Sequence, residues 1–167
     1  MNISFRPICG EDLRFLFEVY ASTRLDELAL TDWSDQQKTE FLNMQFDAQH
    51  LYYQENYRDT EFLVILLDEV PVGRLYLARW PDQIRIVDIA LLPSYRNVGI
   101  GSKILADIID DSRIQQKPVR IHVECFNPAQ NLYRRLGFVP IGEHGVYVLM
   151  ECSAQMPLSS VSPNNPI

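Results

Sequence analysis

The stretch between residues 84 and 113 constrains the fold more than any other part of the chain. It begins with a β-branched apolar run, residues 84–92, which Pro93 ends, and a short polar turn follows. Gly99-Ile100-Gly101 then opens a segment whose apolar residues recur with a helical period. A strand, a glycine turn and a helix start direct free backbone N–H groups and the positive end of a helix dipole toward one point. The pattern therefore predicts a site for a phosphate-bearing ligand.

Two common phosphate-binding motifs do not fit this turn. A dinucleotide fingerprint needs a third glycine where this chain has Ile104, and no Gly-Lys-Ser/Thr follows as a Walker loop requires. A glycine pair after a strand is also compatible with a purely structural turn. The turn by itself therefore leaves both a binding role and a structural role open.

The composition narrows the class of protein and of partner. A length of 167 residues predicts one domain with a real core, and 47% hydrophobic residues argue against disorder. The net charge of −7 argues against nucleic acid as a partner and favours a neutral or cationic small substrate. Cys9, Cys125 and Cys152 lack the spacing of a metal or redox site, so no metal is expected. Without a signal-like N-terminus or a long apolar run, the sequence predicts a soluble, cytoplasmic protein that has no membrane contact.

Periodicity and turn residues predict an alternation of strands and helices. Ser34 and Gln37 form a capping-box pattern that starts a long helix, and Asp68-Glu69 forms a tight hairpin turn. Tyr52, Tyr53 and Tyr57 either line a pocket or pack at the end of that helix. The predicted strands are 3–8, 61–67, 70–80, 83–92, 119–126, 139–141 and 146–150, and the predicted helices are 11–20, 34–56, 99–113 and 128–137. Residues 21–32 are predicted to form a loop with at most a helical turn.

Two motifs in this order resemble those of the GNAT N-acetyltransferases. Arg96-Asn97-Val98-Gly99-Ile100-Gly101 resembles the R/Q-x-x-G-x-G/A motif of that family, and Leu91-Leu92-Pro93-Ser94-Tyr95 precedes it like V-x-P-x-Y. Some 30 residues on, 127–138 is similar to N-x-x-A…L-Y-x-x-L-G-F. The resemblance covers residues 3–151. It implies an α/β (α+β) GNAT fold with a mixed sheet of about seven strands, four helices and a splayed strand pair holding CoA. The expected domain is 1–152, followed by a flexible tail, 153–167.

The resemblance implies that acetyl-CoA binds at the glycine turn. Backbone amides and the dipole of the next helix would hold the pyrophosphate without many lysines. The pantetheine arm would run beside the strand that ends at Leu92, paired with main-chain groups of Ile89 and Leu91, the former near the thioester carbonyl. The implied phosphate-binding residues are Arg96, Asn97, Val98, Gly99, Ile100, Gly101 and Ser102.

Tyr133 occupies the motif position at which many members of this family protonate the CoA thiolate. A phenol whose ordinary pKa is near 10 can act as such an acid. The alternative is a tyrosine that only packs at the junction of helix and sheet. Asn127 precedes Tyr133 by six residues, whereas the family spacing is seven. Either the turn is one residue shorter or Phe126 occupies the asparagine position, and the shorter turn keeps Val123 in apolar register. If the turn is one residue shorter, Asn127 is expected to contact the pantetheine.

Three side chains are candidates for the base that deprotonates the amine. His122 and Glu124 share one face of their strand, and His122 lies where some relatives have a catalytic glutamate. Asp88 is a lone carboxylate in an apolar strand, where burial is costly unless the group is paired. It either acts as the base, bonds Arg85 or Arg74, or orients a loop.

The acceptor is expected beneath residues 21–32, the usual specificity element of the family. Glu27, Asp26 and Asp32 could attract an amine and Arg24 could hold a carboxylate; solvated loop charges are the alternative. The implied reaction is acetyl transfer to a primary amine of a small molecule or peptide. A second hypothesis is a non-catalytic CoA-binding or protein-interaction domain on the same fold. Hairpin edges and the tyrosine-rich helix end are compatible with a homodimer.

Overall fold

The computed structural model describes residues 1–155, so most of the predicted tail lies outside the described residues. It contains seven strands: β1 Ile3–Pro7, β2 Thr60–Leu67, β3 Val70–Arg79, β4 Ile84–Leu91, β5 Val119–Glu124, β6 Val139–His144 and β7 Tyr147–Cys152. Among the described residues the helices are α1 Leu13–Ser22, α2 Leu25–Ala29, α3 Asp35–Asn56, α4 Ile100–Gln115 and α5 Ala129–Arg135. The strands follow the sheet order β1-β2-β3-β4-β5-β7-β6. This confirms the predicted mixed α/β fold with a sheet of seven strands.

The chain divides into two compact units. The first comprises Met1–Arg79 with Ile86–Gly101, and the second comprises Trp80–Arg85 with the residues from Ser102 onward. The boundary therefore falls inside β4 and again at the start of α4. Over residues 1–155, no helix combines the length and the apolar character that crossing a bilayer requires.

In the first unit, β1, β2 and β3 form an antiparallel meander. The β2–β3 turn is the predicted Asp68-Glu69 pair, and both residues have positive φ, 48° and 69°. Two successive left-handed residues match the right-handed twist of a hairpin, so this turn closes tightly without glycine or asparagine. The pairing shifts between Ile65 and Leu66, which marks a bulge in the hairpin.

Two helices pack their apolar stripes together to form a core cluster in the first unit. Leu16 and Tyr20 of α1 meet Leu42 and Phe46 of α3, and all four side chains are buried. The predicted capping box is present, because Ser34 Oγ accepts from the amide of Gln37 and the Gln37 side chain accepts from the amide of Ser34. This reciprocal capping explains why α3 starts where it does.

In the second unit, β7 pairs antiparallel with both β5 and β6. Alternate residues of β5 are buried, Val119, Ile121 and Val123, so one face of this strand belongs to the core. The intervening side chains, among them His122, point to the opposite face. The apolar side of α4 is also buried in this unit, through Ile104 and Ile108 among others.

The structure corrects some element predictions. Residues 1–155 contain five α-helices rather than four, because residues 25–29 of the predicted loop form the short α2. The final hairpin turns at Gly145 and Val146, not over 142–145, so β6 extends to His144. The three tyrosines pack ring to ring at the end of α3, and Tyr53 also packs edge-on against Tyr76 at 5.8 Å, as the packing alternative predicted.

Candidate active site

The loop that follows β4, which we call the phosphate loop (residues 96–101), has an unusual backbone. A short 3-10 turn at 93–95 bends the chain away from the strand, and Asn97 and Gly99 then adopt positive φ of 60° and 94°. Asparagine tolerates the left-handed region better than most residues, and glycine enters it without strain. Left-handed residues in such a loop direct neighbouring N–H groups into a concavity that suits an anion.

A glycine is needed at position 99 because of the backbone conformation there, and not because a side chain would clash with the rest of the protein. A Cβ built at this position would meet nothing within 4 Å, but φ of 94° disfavours any side chain. The space in front of Gly99 is therefore open, and a phosphate could approach the backbone there.

Helix α4 starts within the phosphate loop, at Ile100, and this buried side chain anchors the start of the helix in the core. The N–H groups of a first helical turn have no acceptors within the helix, and the dipole places partial positive charge beside them. No acidic side chain occupies this first turn, so its polarity is not offset locally. The start of α4 is therefore suited to hold a negative group.

The side chain of Arg96 points into the first unit. Its Nε donates to the carbonyl oxygen of Leu91 at 2.9 Å, and its Nη2 donates to Ser22 Oγ at 3.0 Å. Its contacts within the protein therefore link the phosphate loop to the end of β4 and to the last residue of α1.

At the end of β4, successive residues direct their main-chain groups alternately toward β3 and away from it. The amide of Leu92 donates to Val72 of β3 at 2.9 Å. Because main-chain groups alternate sides along an extended chain, those of Leu91 and Ile89 face away from β3. This orientation is the one that the predicted pantetheine contacts require, although the carbonyl of Leu91 is already engaged by Arg96.

Gly73 of β3 was not among the predicted site residues, yet it positions the end of β4. A Cβ at this position would overlap the carbonyl oxygen of Ala90 and would lie 2.9 Å from Cδ2 of Leu91. Only glycine permits this close approach of the two backbones. A glycine in the interior of a buried strand was the signal in the sequence that could have identified it.

Asp88 is the counter-ion of a buried arginine. Its Oδ2 accepts from Nη2 of Arg74 at 2.6 Å, and the same Nη2 donates to Gln49 at 2.9 Å. Arg74 is only 3% exposed, and its guanidinium lies 5.1 Å from the ring centroid of Tyr76. Burial opposes the charge of Arg74, but the Asp88 carboxylate outweighs it and raises the pKa of Arg74. Of the alternatives for Asp88, the geometry therefore favours the bond to Arg74.

The two predicted acceptor-binding residues contact each other. Arg24 precedes α2 and its Nη1 donates to Oε1 of Glu27 at 3.1 Å, while its guanidinium lies 5.7 Å from the centroid of the Tyr20 ring. Each charge is thus partly offset by the other.

In the second unit, Tyr133 is buried on α5, only 5% exposed. Its ring packs against Phe138 with centroids 5.7 Å apart, and its carbonyl oxygen accepts from the amide of Phe138. The chain reverses between them at Gly137, where φ is 101°. A left-handed glycine ends the helix and returns Phe138 to the core, so the L-Y-x-x-L-G-F pattern fixes the position of the tyrosine.

The turn from β5 to α5 is short. The amide of Asn127 donates to the carbonyl of Glu124 at 2.9 Å, and Asn127 Oδ1 accepts from the amide of Ala129. Phe126 is 65% exposed. The tight turn favours the interpretation in which this loop is one residue shorter than usual, but the side-chain oxygen of Asn127 serves to start α5.

His122 is engaged by Arg85. The Nη1 of Arg85 lies 3.1 Å from His122 Nδ1, and because arginine can only donate, Nδ1 must be the acceptor. Partial burial, the charge of Arg85 and nearby His144 lower the pKa of His122, so the ring is neutral at pH 7 with its proton on Nε2. In this arrangement its basic nitrogen is occupied, and proton removal through His122 requires Arg85 to move. Glu124 follows on the same face of β5, and its carbonyl accepts from the side chain of Gln130.

Both the sequence and the fold of this chain are similar to those of known proteins. The model of the acetyltransferase (GNAT) family matches residues 23–138. PaiA N-acetyltransferase from Thermoplasma acidophilum, solved in complex with coenzyme A, is 22% identical with a TM-score of 0.68 over 92% of this chain and 99% of that one. PH1933 from Pyrococcus horikoshii OT3 is 20% identical with a TM-score of 0.67, over 93% and 100% of the two chains.

A third similar structure is the ribosomal-protein-S18-alanine N-acetyltransferase from Escherichia coli. It is 15% identical with a TM-score of 0.60, over 96% of this chain and 99% of that one. No protein of curated function matches the sequence significantly. These structural likenesses show the fold, and the family model extends over more than half of the chain. The chain therefore belongs to the GNAT family of acetyltransferases.

Proposed function

We propose that this protein transfers the acetyl group of acetyl-CoA to a primary amine of a small molecule or peptide by direct attack. The observation that carries the proposal is the phosphate loop. Its two left-handed residues lead into the first turn of α4, which has no acidic side chain. Backbone amides and a helix dipole suit a pyrophosphate without an excess of cationic side chains, which this chain of net charge −7 does not have. The PaiA structure with coenzyme A supports the same ligand for this chain.

Acetyl-CoA, when bound, would supply an activated acetyl thioester. The amides of the phosphate loop and the hydroxyl of Ser102 would hold its phosphates. Ile89 and Leu91, whose main-chain groups face away from β3, would hold the pantetheine as an added strand. The amide of Ile89 would also stabilise negative charge that develops on the thioester oxygen.

The chemical step joins the amine nitrogen to the acetyl carbon and breaks the bond from that carbon to sulfur. The sulfur leaves as a thiolate and takes a proton, for which we assign the hydroxyl of Tyr133. The packing of Tyr133 against Phe138 would fix the orientation of that hydroxyl. The attacking ammonium loses one proton to solvent before attack, and the nitrogen loses a second as the amide forms, which returns Tyr133 to its protonated state. Asp88 and His122 each have an arginine partner, so neither accepts the first proton without rearrangement.

The first test measures binding of CoA by calorimetry and thiol release with acetyl-CoA and a panel of amines. We expect saturable CoA binding and thiol release with at least one amine. CoA binding without turnover on any amine would instead favour a non-catalytic CoA-binding or protein-interaction domain. Absence of CoA binding would refute the proposal.

Two variants test the assigned roles. Gly101→Glu should abolish CoA binding because a carboxylate would occupy the phosphate site, whereas Gly142→Glu, on the exposed edge strand β6, should bind normally. Tyr133→Phe should lower kcat by roughly 10²–10⁴-fold with little change in CoA affinity. Tyr147→Phe on β7 is its matched control. Full activity of Tyr133→Phe would remove the tyrosine from the mechanism.

A further inference from the structure

The side chain of Arg96 makes contacts that binding of a phosphate does not explain. Its Nε is bonded to the carbonyl of Leu91 and its Nη2 to Ser22 Oγ, and Ser22 Oγ in turn donates to the carbonyl of Val19 at 2.7 Å. These bonds, which we call the Arg96 link, connect the phosphate loop to a residue 74 positions earlier in the chain. The phosphate loop is thereby joined to the C-terminal end of α1.

The charge of Arg96 complements the end of α1. A helix C-terminus carries partial negative charge and is stabilised by a nearby cation. The sequence of α1 has no basic residue in its last turn. Arg96 supplies that cation from another part of the chain, and no carboxylate in residues 1–155 forms an ion pair with it within 4.0 Å. The Arg96 link is therefore a pair of hydrogen bonds that also places a cation beside the last residue of α1.

The residues that follow Ser22 have few buried side chains to hold them in place. We call residues 21–32 the acceptor segment, after their predicted role. It contains α2, a helix of five residues in which only Leu28 is buried, while Leu25 and Leu30 are 55% and 90% exposed. So short a helix is not stable by itself and opens at little cost in free energy.

We propose that Arg96 is a positioning residue that couples occupancy of the phosphate loop to the order of the acceptor segment. An anion bound at residues 97–101 restricts the phosphate loop and with it the Arg96 side chain. The Arg96 link then fixes Ser22 and the start of the acceptor segment. Binding of one substrate thereby organises the predicted site of the other, which is a coupling between two sites through an order change. The inference rests on the proposed function, because it requires CoA to bind at this loop.

Hydrogen exchange of the full chain, with and without CoA, tests the coupling. In the wild type, saturating CoA should slow exchange of the amides of residues 23–30 at least fivefold, in addition to those of residues 97–103. Ser22→Ala removes the hydroxyl that Arg96 contacts without altering the phosphate loop. In this variant residues 97–103 should still be protected by CoA, and the added protection of residues 23–30 should fall below twofold.

The neighbouring residue provides a matched control. Thr23 Oγ1 donates to the carbonyl of Tyr20 at 2.7 Å, as Ser22 does to Val19, but it does not contact Arg96. Thr23→Ala should therefore retain the CoA-induced protection, and Ser22→Thr, which keeps a hydroxyl, should restore it. Equal protection of residues 23–30 in the wild type and Ser22→Ala, or loss of protection in Thr23→Ala as well, would overturn the coupling. Failure of the wild type to bind CoA would overturn the proposed function and the coupling with it, and calorimetry detects that outcome separately.

Discussion

Replacing Asp88 by asparagine removes the negative partner of a buried cation. Arg74 is 3% exposed and Asp88 is 16% exposed, and the two are joined by a 2.6 Å hydrogen bond between charged groups. After the substitution, the guanidinium keeps Gln49 and the face of the Tyr76 ring, but no carboxylate bonded to it is left in the first unit. We therefore expect Asp88→Asn to act mainly on stability.

The size of the effect follows from burial. Removing one member of a buried ion pair costs about 3–5 kcal/mol, because the remaining charge stays desolvated without compensation. The partial exposure of Asp88 and the remaining contacts of Arg74 place the expectation near the lower end, about 3 kcal/mol. With a urea m-value of about 2 kcal/mol/M, the midpoint of unfolding would fall by about 1.5 M.

Two further variants make this measurement specific. Asp107→Asn breaks an exposed pair with Lys103, and it should leave the midpoint of unfolding nearly unchanged, because water screens such a pair. The double variant Arg74→Met/Asp88→Leu removes both charges, and we expect it to recover most of the stability that Asp88→Asn loses. Unfolding of Asp88→Asn at the same urea concentration as Asp107→Asn would refute the counter-ion role. If Asp88→Asn is as stable as Asp107→Asn but releases no thiol, the result would instead support Asp88 as the catalytic base.

Two other substitutions test packing and pH dependence. Gly73→Ala should lower stability by about 1–3 kcal/mol in thermal unfolding and weaken CoA binding, because the methyl displaces Ala90 at the end of β4. Gly142→Ala, which adds a methyl in open space, should do neither, and equal behaviour of the two would contradict the packing argument. Arg6 holds the pKa of Asp12 far below its ordinary value, so this carboxylate stabilises the fold above pH 4 and ceases to do so as the pH falls. The wild type should therefore lose about 1–2 kcal/mol between pH 5 and pH 2 that Asp12→Asn does not lose, as measured by urea unfolding at each pH; identical pH profiles would refute this.

The element order could be predicted because its determinants are local. Ser34 and Gln37 lie one helical turn apart, and the Asp68-Glu69 turn joins two adjacent apolar runs. Helix α2 was predicted only as a helical turn within a loop, since five residues with one buried side chain carry no measurable period. Its order depends on contacts of the folded chain, which single-sequence patterns do not contain.

The partners of the site residues could not be predicted in the same way. The sequence identified Asp88 as an isolated charge in an apolar strand but left open whether Arg74 or Arg85 meets it. That choice depends on how β3 pairs with β4, which sets whether Arg74 lies beside Asp88, and the pairing of two strands has no local signature in the sequence. The contact of Arg96 with Ser22 spans 74 residues and has no local signature. The roles of Tyr133 and the phosphate loop remain predictions from motif resemblance.

An acidic chain can bind a polyanion through backbone groups, even when the cationic side chains near the site are engaged elsewhere. Arg96 is engaged at the end of α1, and Lys103, in the first turn of α4, is paired with Asp107 at 2.7 Å. Neither side chain is needed as a phosphate ligand if the amides of the phosphate loop and the dipole of α4 supply the attraction. Backbone dipoles act over short distances, so they favour an anion that fits the loop and give little attraction to other anions. The net charge of −7 repels those anions at longer range, and it attracts the cationic amines that the proposed reaction consumes.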